Sequence, residues 1–262
     1  MTKLMLTNIR SIRQSGNFGQ LCIQIEEHQR DLLAVNETWL NDSTESLNLP
    51  GYRSTARRDR RGSIKKRGGG VDVYSKNTVR NIGLIEESKV AERTWSTLHT
   101  DIGPILIGNW YRPGDEDLDV EAFQEEAQKH SNGMIGTIIV GDLNVHHKKW
   151  LRYSSGNTTE GEQLMQTCAD LGLRQIVREP TRGPHLLDLL ITDLDDLVTA
   201  TILPTIADHH SIMCQLDIGT QKVTQIERIV WDFHQADWEG LNNALGSINW
   251  YDAVSGTNSE AT

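Results

Sequence analysis

The chain has 262 residues, 37% hydrophobic and 24% charged, with a formal net charge of −10. That is the composition of a globular protein with one large core, and no linker rich in Pro, Gly or Ser divides its first part. No run approaches the ~20 apolar residues of a membrane helix, and no sustained apolar run near the start reads as a signal peptide. Cys22, Cys168 and Cys214 are scattered in apolar patterns, which reads as buried free thiols in a reducing, intracellular compartment, nuclear or cytoplasmic. In chain order, Lys3–Asn8 reads as a strand, and Leu21, Ile25 and His28 line a helix face ahead of the strand Asp31–Glu37. Further strands are predicted at Gly70–Ser75, Thr94–Thr100, Pro104–Tyr111 and Thr137–Asp142, with a helix over about Leu118–His130. A helix over Glu160–Leu171 stops at Gly172, and strands return at Leu187–Thr192 and Ser211–Leu216. Beyond Gly219, Trp231, Phe233, Trp238 and Trp250 precede a polar end, Ser255–Thr262, which reads as an appendage with a disordered terminus. The expected division is 1–218 for the body and 219–262 for the tail.

Polar residues recur where apolar runs end. Asn8, Glu37, Asp142 with Asn144, Asp188 and Asp208–His209 all sit there, and α/β folds place their chemistry at strand ends and the following loops. Charge is uneven as well. Eight of the 26 basic residues lie between Arg53 and Arg67, where Asp59 is the one acid, so the rest of the chain carries 18 basic and 35 acidic residues. A carboxylate-rich body with one basic segment suits an enzyme that holds cations and grips phosphates locally; the bland alternative is a solvated loop.

Phosphodiester hydrolysis requires an activated water, a cation on the phosphoryl and leaving oxygens, and donors that fix the phosphate. Mg²⁺ takes oxygen ligands, and Glu37, Asp142, Asp188 and Asp208 supply carboxylates beside the imidazole of His209. Other metals are less well served. Asp115, Asp117, Asp119 and Glu126 mimic a calcium loop, but Val120 stands where that loop needs Gly, so an acidic helix start is the better reading. His146, His147, His209 and His210 lack zinc spacing and cysteine partners, and His146 and His147 read as a loop beside the site.

The segments "TNIRSI", "AVNETWL", "RGGGVDVYSK", "NWYRPGD", "IVGDLNVHH", "LLDLLIT" and "ADHHSI" resemble, in order, the motifs of the endonuclease/exonuclease/phosphatase superfamily. More narrowly, "NETWL", "YRPG" and "GDLNVHHKKW" resemble the endonuclease of non-LTR retrotransposons, over about residues 3–218. The tail "RIVWDFHQADWEGL" is similar to the connector toward a reverse transcriptase. The resemblance implies a four-layer α/β/β/α sandwich of two packed mixed β-sheets, with the site at one end. It implies Mg²⁺, replaceable by Mn²⁺, DNA as substrate, and a reverse transcriptase either attached or separate. Glu37 would bind the metal with Asn8 organising the site and Asp208 nearby. Asp142 would orient the attacking water, Asn144 and Tyr111 would contact the scissile phosphate, and His209, held by Asp188, would stabilise the transition state. Arg57, Arg58, Arg60, Arg61, Lys65, Lys66 and Arg67 would grip backbone phosphates.

One departure is Ala207, where the family has Ser or Thr; a lost hydroxyl hydrogen bond costs about 1 kcal/mol. Three alternatives stay open. The chain could be an abasic-site repair nuclease, a phosphatase of lipid or inositol phosphates on the same scaffold, or a non-catalytic remnant that binds nucleic acid.

Overall fold

A computed structural model describes residues 1–61, 68–80, 82–221 and 236–251, the side chain of His28 excepted. Gly62, Lys65, Lys66, Arg67, Trp231, Phe233 and the end Ser255–Thr262 therefore lie outside the described residues. The elements begin with β1 (Thr2–Asn8), α1 (Ser15–His28), β2 (Leu32–Asn36), β3 (Tyr52–Arg58), β4 (Val71–Lys76) and β5 (Ile82–Glu87). Next come β6 (Glu92–Thr100), β7 (Gly103–Tyr111), α2 (Val120–Ser131), β8 (Gly136–Asp142) and α3 (Thr159–Asp170). The order closes with β9 (Arg174–Gln175), β10 (Asp188–Thr192), β11 (Val198–Ile206), β12 (His209–Leu216) and α4 (Trp238–Ser247).

Two six-stranded mixed sheets form, ordered β11-β12-β1-β2-β4-β3 and β5-β6-β7-β8-β10-β9. In the first sheet β1 and β2 run parallel, and in the second β7 and β8 do; the other pairs are antiparallel. The central strands follow the two-residue period of a pleated sheet. Leu4 and Leu6 of β1, with Leu32 and Ala34 of β2, enter the main core, whereas Met5, Leu33 and Val35 pack on the opposite face with Leu21 and Ile25 of α1. On the second sheet, Phe123 of α2 packs on Trp95 and Trp110, and Leu164 and Cys168 of α3 join the same core. The result is a four-layer α/β/β/α sandwich. Cys168 and Cys214 are buried free thiols and Cys22 is half-buried.

Close approach explains one glycine. A Cβ on Gly141 would lie 1.7 Å from the Trp110 carbonyl oxygen, so the residue before Asp142 must be Gly if β8 is to keep its place beside β7.

The acidic segment after β7 is a helix start. Asp119 caps α2 by accepting the Ala122 N–H at 2.9 Å, and Glu126 receives Arg93 and Trp95.

Four strands were not anticipated: β3, β5, β9 and β11, and they are the four edges of the two sheets. Edge strands lack the apolar runs that identify central ones, because one side faces solvent and must discourage further pairing. Arginines fill β3. Glutamates end β5. Pro204 interrupts β11, and all three of these strands carry a register irregularity.

The chain divides into two compact units, Met1–Thr224 and Gln225–Thr262. Thr220 bridges to Thr100, and Arg80 donates its backbone N–H to Gln221. The first unit thus extends slightly past the expected boundary at residue 218. In the second unit α4 is exposed throughout. Among the described residues no helix is long and apolar enough to cross a membrane.

Candidate active site

Strand direction gathers the polar strand ends. Parallel pairing of β1 with β2 brings Asn8 and the residue after Asn36 to one end of the first sheet. Because β12 is antiparallel to β1, its start at His209 arrives at that same end. In the second sheet, Asp188 opens β10 directly opposite Asp142, which closes β8, and Tyr111 closes the parallel β7. Packing of the two sheets then sets these ends against each other.

Asn8 links the sheets: its Nδ2 donates to Glu37 Oε1 at 3.0 Å and to Asp142 Oδ2 at 2.8 Å. Trp39 Nε1 donates to the other Glu37 oxygen at 3.0 Å, and the Tyr111 hydroxyl also bonds Glu37. His209 Nδ1 meets Asp188 Oδ2 at 2.8 Å, and its Nε2 lies 3.9 Å from Asp142 Oδ2. Asn144 Nδ2 is anchored on the Arg112 carbonyl at 2.9 Å.

Backbone strain concentrates here. Among the described residues eight non-glycine positions have positive φ, and six of them, Arg10, Ser11, Glu37, Trp39, Asn144 and Ala207, lie on the loops at this end. Each such conformation costs about 1 kcal/mol or more and persists only where neighbours hold it. Hydrogen bonds hold Glu37 from both sides. Ser11 N–H donates to the Glu37 carbonyl at 2.8 Å, while Thr38 and Trp39 donate to Gly70 and Gly69. Gly70 is itself at φ +84, and a Cβ there would sit 2.6 Å from Thr38 Oγ1. The glycine run is thus a support for the Glu37 loop.

Burial sets the electrostatics. Asp142 is raised well above the usual carboxylate range by desolvation and then by Asp188, against the pull of His209 and Asn8. Burial alone would lower His209; Asp188, Asp142 and Asp208 outweigh it and push the imidazole up to about 9. His209 is therefore an imidazolium at neutral pH, tied to Asp188. Burial, then the Glu37 and Asp142 charges, raises the Tyr111 hydroxyl, so it stays a donor.

Asp142, Asp188 and His209 hold potential ligand atoms within 4.8 Å of one another. A protonated imidazole cannot ligate, and Asp188 is engaged by it, so a cation fits better on the Glu37 and Asp142 side. Buried Asp142 Oδ1 has no hydrogen-bond partner among the described residues, and the oxygen donors there suit a hard divalent cation.

Several expected residues are engaged by ion-pair partners of their own. Asp208 sits at the tip of the two-residue turn between β11 and β12, with Ala207 in the left-handed position that such turns demand. Its Oδ2 takes Arg10 at 3.2 Å and Arg182 at 2.7 Å, and its charge still acts on His209. Four arginines of the basic segment are likewise paired with carboxylates of the fold, Arg61 at a half-exposed position. Arg57 pairs with Asp59, Arg58 with Glu87, Arg60 with Glu92, and Arg61 with Glu87 and Asp42. Lys65, Lys66 and Arg67 lie outside the described residues. His147 is structural, bonded to Glu162 and to the Trp150 N–H.

Sequence reasoning passed over the supports. Asn36 Oδ1 accepts the Asp142 N–H at 2.8 Å, and Asn36 Nδ2 donates to Asn109 at 2.7 Å, a buried cross-link between the sheets. Thr181 Oγ1 accepts from the N–H groups of Leu187 and Asp188, 3.0 Å each, and so sets the start of β10. An asparagine inside an apolar strand was the available signal, since a buried amide needs partners.

Residues 105–213 match the Endonuclease-reverse transcriptase family. No curated protein sequence matches the chain significantly. Solved structures do. The endonuclease domain of TRAS1, a telomere-specific non-LTR retrotransposon, is similar at 16% identity and TM-score 0.63, covering 82% of this chain and 97% of that one. The AP endonuclease LMAP from Leishmania major is similar at 18% identity and TM-score 0.65, with 82% and 87% covered. The APE2 catalytic domain from Xenopus laevis follows at 15% and 0.66, with 86% and 95% covered. At such identities the likeness shows the fold, an AP-endonuclease-like α/β sandwich, and the family match spans residues 105–213, less than half of the chain.

Proposed function

We propose that the protein is a divalent-metal-dependent DNA endonuclease, in the manner of target-site cleavage by a non-LTR retrotransposon, and that it leaves a 3′-hydroxyl and a 5′-phosphate. The observation that carries this reading is the convergence of Glu37, Asp142 and the Asp188–His209 pair at one end of the two sheets, with Asp142 Oδ1 buried and without a hydrogen-bond partner among the described residues. A buried carboxylate with one oxygen left without a hydrogen bond, at a place where like charges crowd, is arranged for a ligand and not for stability. The family match and the TRAS1 likeness favour the retrotransposon version.

Glu37 and Asp142 would hold the cation, Mg²⁺ or Mn²⁺, with Asn8 fixing both carboxylates. Such an ion would stabilise negative charge on the phosphoryl and leaving oxygens. Asp142 takes a proton from the attacking water as its oxygen bonds to phosphorus. The phosphorus–O3′ bond breaks, the phosphate stays on the 5′ side, and O3′ takes a proton from solvent. His209 and Tyr111 donate to the non-bridging oxygens, where charge collects in the transition state, and Asn144 keeps a second amide proton for the same purpose. Asp188 holds the imidazolium in place.

Supercoiled plasmid, incubated with and without Mg²⁺, tests this directly. Nicks that a DNA polymerase extends without prior phosphatase treatment are the expected result. Nicks extendable only after 3′-phosphate removal would mean that the other P–O bond breaks. Cleavage confined to plasmid containing abasic sites would make the protein a repair nuclease instead.

A further inference from the structure

Beside the cluster lies a second concavity that the proposed chemistry does not use. It has a volume of about 580 Å³ and is lined by Arg10, Gln14, Asn17, Trp39, Ala207 and Asp208. Two of its features are unusual together. Trp39 lines the cavity while its indole N–H is bonded to Glu37 Oε2, so the cavity wall and the candidate metal ligand are one connected unit. Opposite, a single oxygen, Asp208 Oδ2, receives Arg10 Nη1 at 3.2 Å and Arg182 Nη2 at 2.7 Å.

Two guanidiniums on one carboxylate leave a net positive charge. Both are roughly half-exposed, 54% for Arg10 and 44% for Arg182, so their remaining N–H edges reach solvent. Positions are held in advance. Asn17 Nδ2 donates to the Ile9 carbonyl at 2.8 Å and to the Arg10 carbonyl at 3.3 Å, which fixes the strained loop bearing Arg10. Arg182 stands at one end of a tight turn closed by its own bridge to His185. Paired guanidiniums held rigidly about a shared carboxylate match a phosphodiester, which accepts N–H bonds on two oxygens. An indole in the wall of the same cavity as Arg10 suits a sugar or base, and stacking on aromatic rings is how nucleotides gain affinity without sequence readout.

We propose that this cavity is a nucleotide subsite: Arg10 and Arg182 take a phosphodiester flanking the scissile one, and the attached nucleoside enters against Trp39. The assignment rests on the reading of the protein as a DNA nuclease. It gives Asp208 the role of a clamp for two arginines. It also means that substrate seated in the subsite presses on the residue that orients Glu37, so correct engagement and the metal site are linked.

A methylphosphonate scan tests it. A DNA duplex of about 20 base pairs carries one neutral linkage at a time on either side of the cut, and Kd is measured in Ca²⁺ and cleavage in Mg²⁺. In the wild-type protein one or two flanking positions should weaken binding about tenfold, as expected for a lost phosphate contact. In the Arg10→Gln/Arg182→Gln double variant the same positions should cost less than about twofold. Unmodified duplex should itself bind the variant about tenfold more weakly, and unfolding midpoints report whether the variant folds. If no flanking linkage matters to the wild-type protein, the subsite is wrong whatever the variant does. Cleavage with scans that the arginines do not alter overturns the subsite and leaves the nuclease reading intact. Arginine-dependent scans without cleavage in Mg²⁺ or Mn²⁺ do the reverse. Duplex neither bound nor cut removes both.

Discussion

Two charged regions of this molecule treat their charges in opposite ways. Around β3 and its following loop, arginines find carboxylates within the fold: Arg60 and Glu92 are each 9% exposed, and Arg57, Arg58 and Arg61 have partners as well. At the strand-end cluster, three acids and an imidazole crowd together, with Asp142 Oδ1 and Asp188 Oδ1 buried and without hydrogen-bond partners among the described residues. The first region resembles a structural ion-pair network, and removing one partner there strands a buried charge. The second is poor as structure, because desolvation and repulsion both oppose it. Charge density in sequence therefore says little by itself about where a polyanion binds; the state of the partners decides.

The largest expected effect lies in the chemistry. Glu37→Ala and Asp142→Ala should each reduce nicking by at least ~10²-fold, in the range of lost transition-state contacts. Their unfolding midpoints should stay at or above the wild-type value for Asp142→Ala, since a disfavoured charge is relieved. Native-rate cleavage by either variant in a plasmid assay would take the cluster out of the mechanism.

The Asp188–His209 pair should show both behaviours at once. Asp188→Ala leaves a buried imidazole without its partner and should destabilise by about 3–5 kcal/mol in urea unfolding. His209 is raised from 6.5 to about 9, so its contribution to stability is complete below pH 6.5 and is lost as pH rises through about 9. Nicking should follow the same alkaline limb, because the donor is the imidazolium. In Asp188→Asn that limb should move toward neutral pH. A limb that does not move would separate His209 from the observed titration.

Within the arginine region the comparison can be sharpened. Arg60→Ala should cost about 3–5 kcal/mol, because Glu92 is left buried, whereas Arg61→Ala, half-exposed, should cost less than about 1 kcal/mol. Neither should flatten the salt dependence of DNA binding, whereas the Arg10→Gln/Arg182→Gln double variant should. A slope reduced by about 0.9 on removing Arg61 would return that residue to the phosphate interface.

The smallest effect is expected at the chain end. A protein ending at Thr224 keeps Thr220 and Gln221 against the first unit and should unfold cooperatively and nick as before. One ending at residue 218 loses those bonds and should melt a few degrees lower. Loss of the cooperative transition at Thr224 would show that the second unit completes the core.

The sequence by itself determined the central strands, three of the helices and the polar residues at their ends. Burial on both faces leaves short continuous apolar runs in β1 and β2, apolar positions at helical spacing mark α1 and α3, and chemistry at strand ends interrupts apolar runs with Asn8, Glu37, Asp142 and Asp188. The four edge strands were illegible because solvent, bulges and charge break up such runs. Pairing was illegible too. Whether Arg60 meets Glu92 or a phosphate, and whether Asp208 faces Glu37 or two arginines, depends on which loops the two sheets bring together across long stretches of chain. The same holds for Asn36 and Asn109, whose contact across 73 positions exists only once the sheets stack. Local residue type encodes the period of an element, but the partner of a charge is a long-range property, and only the tertiary structure decides it.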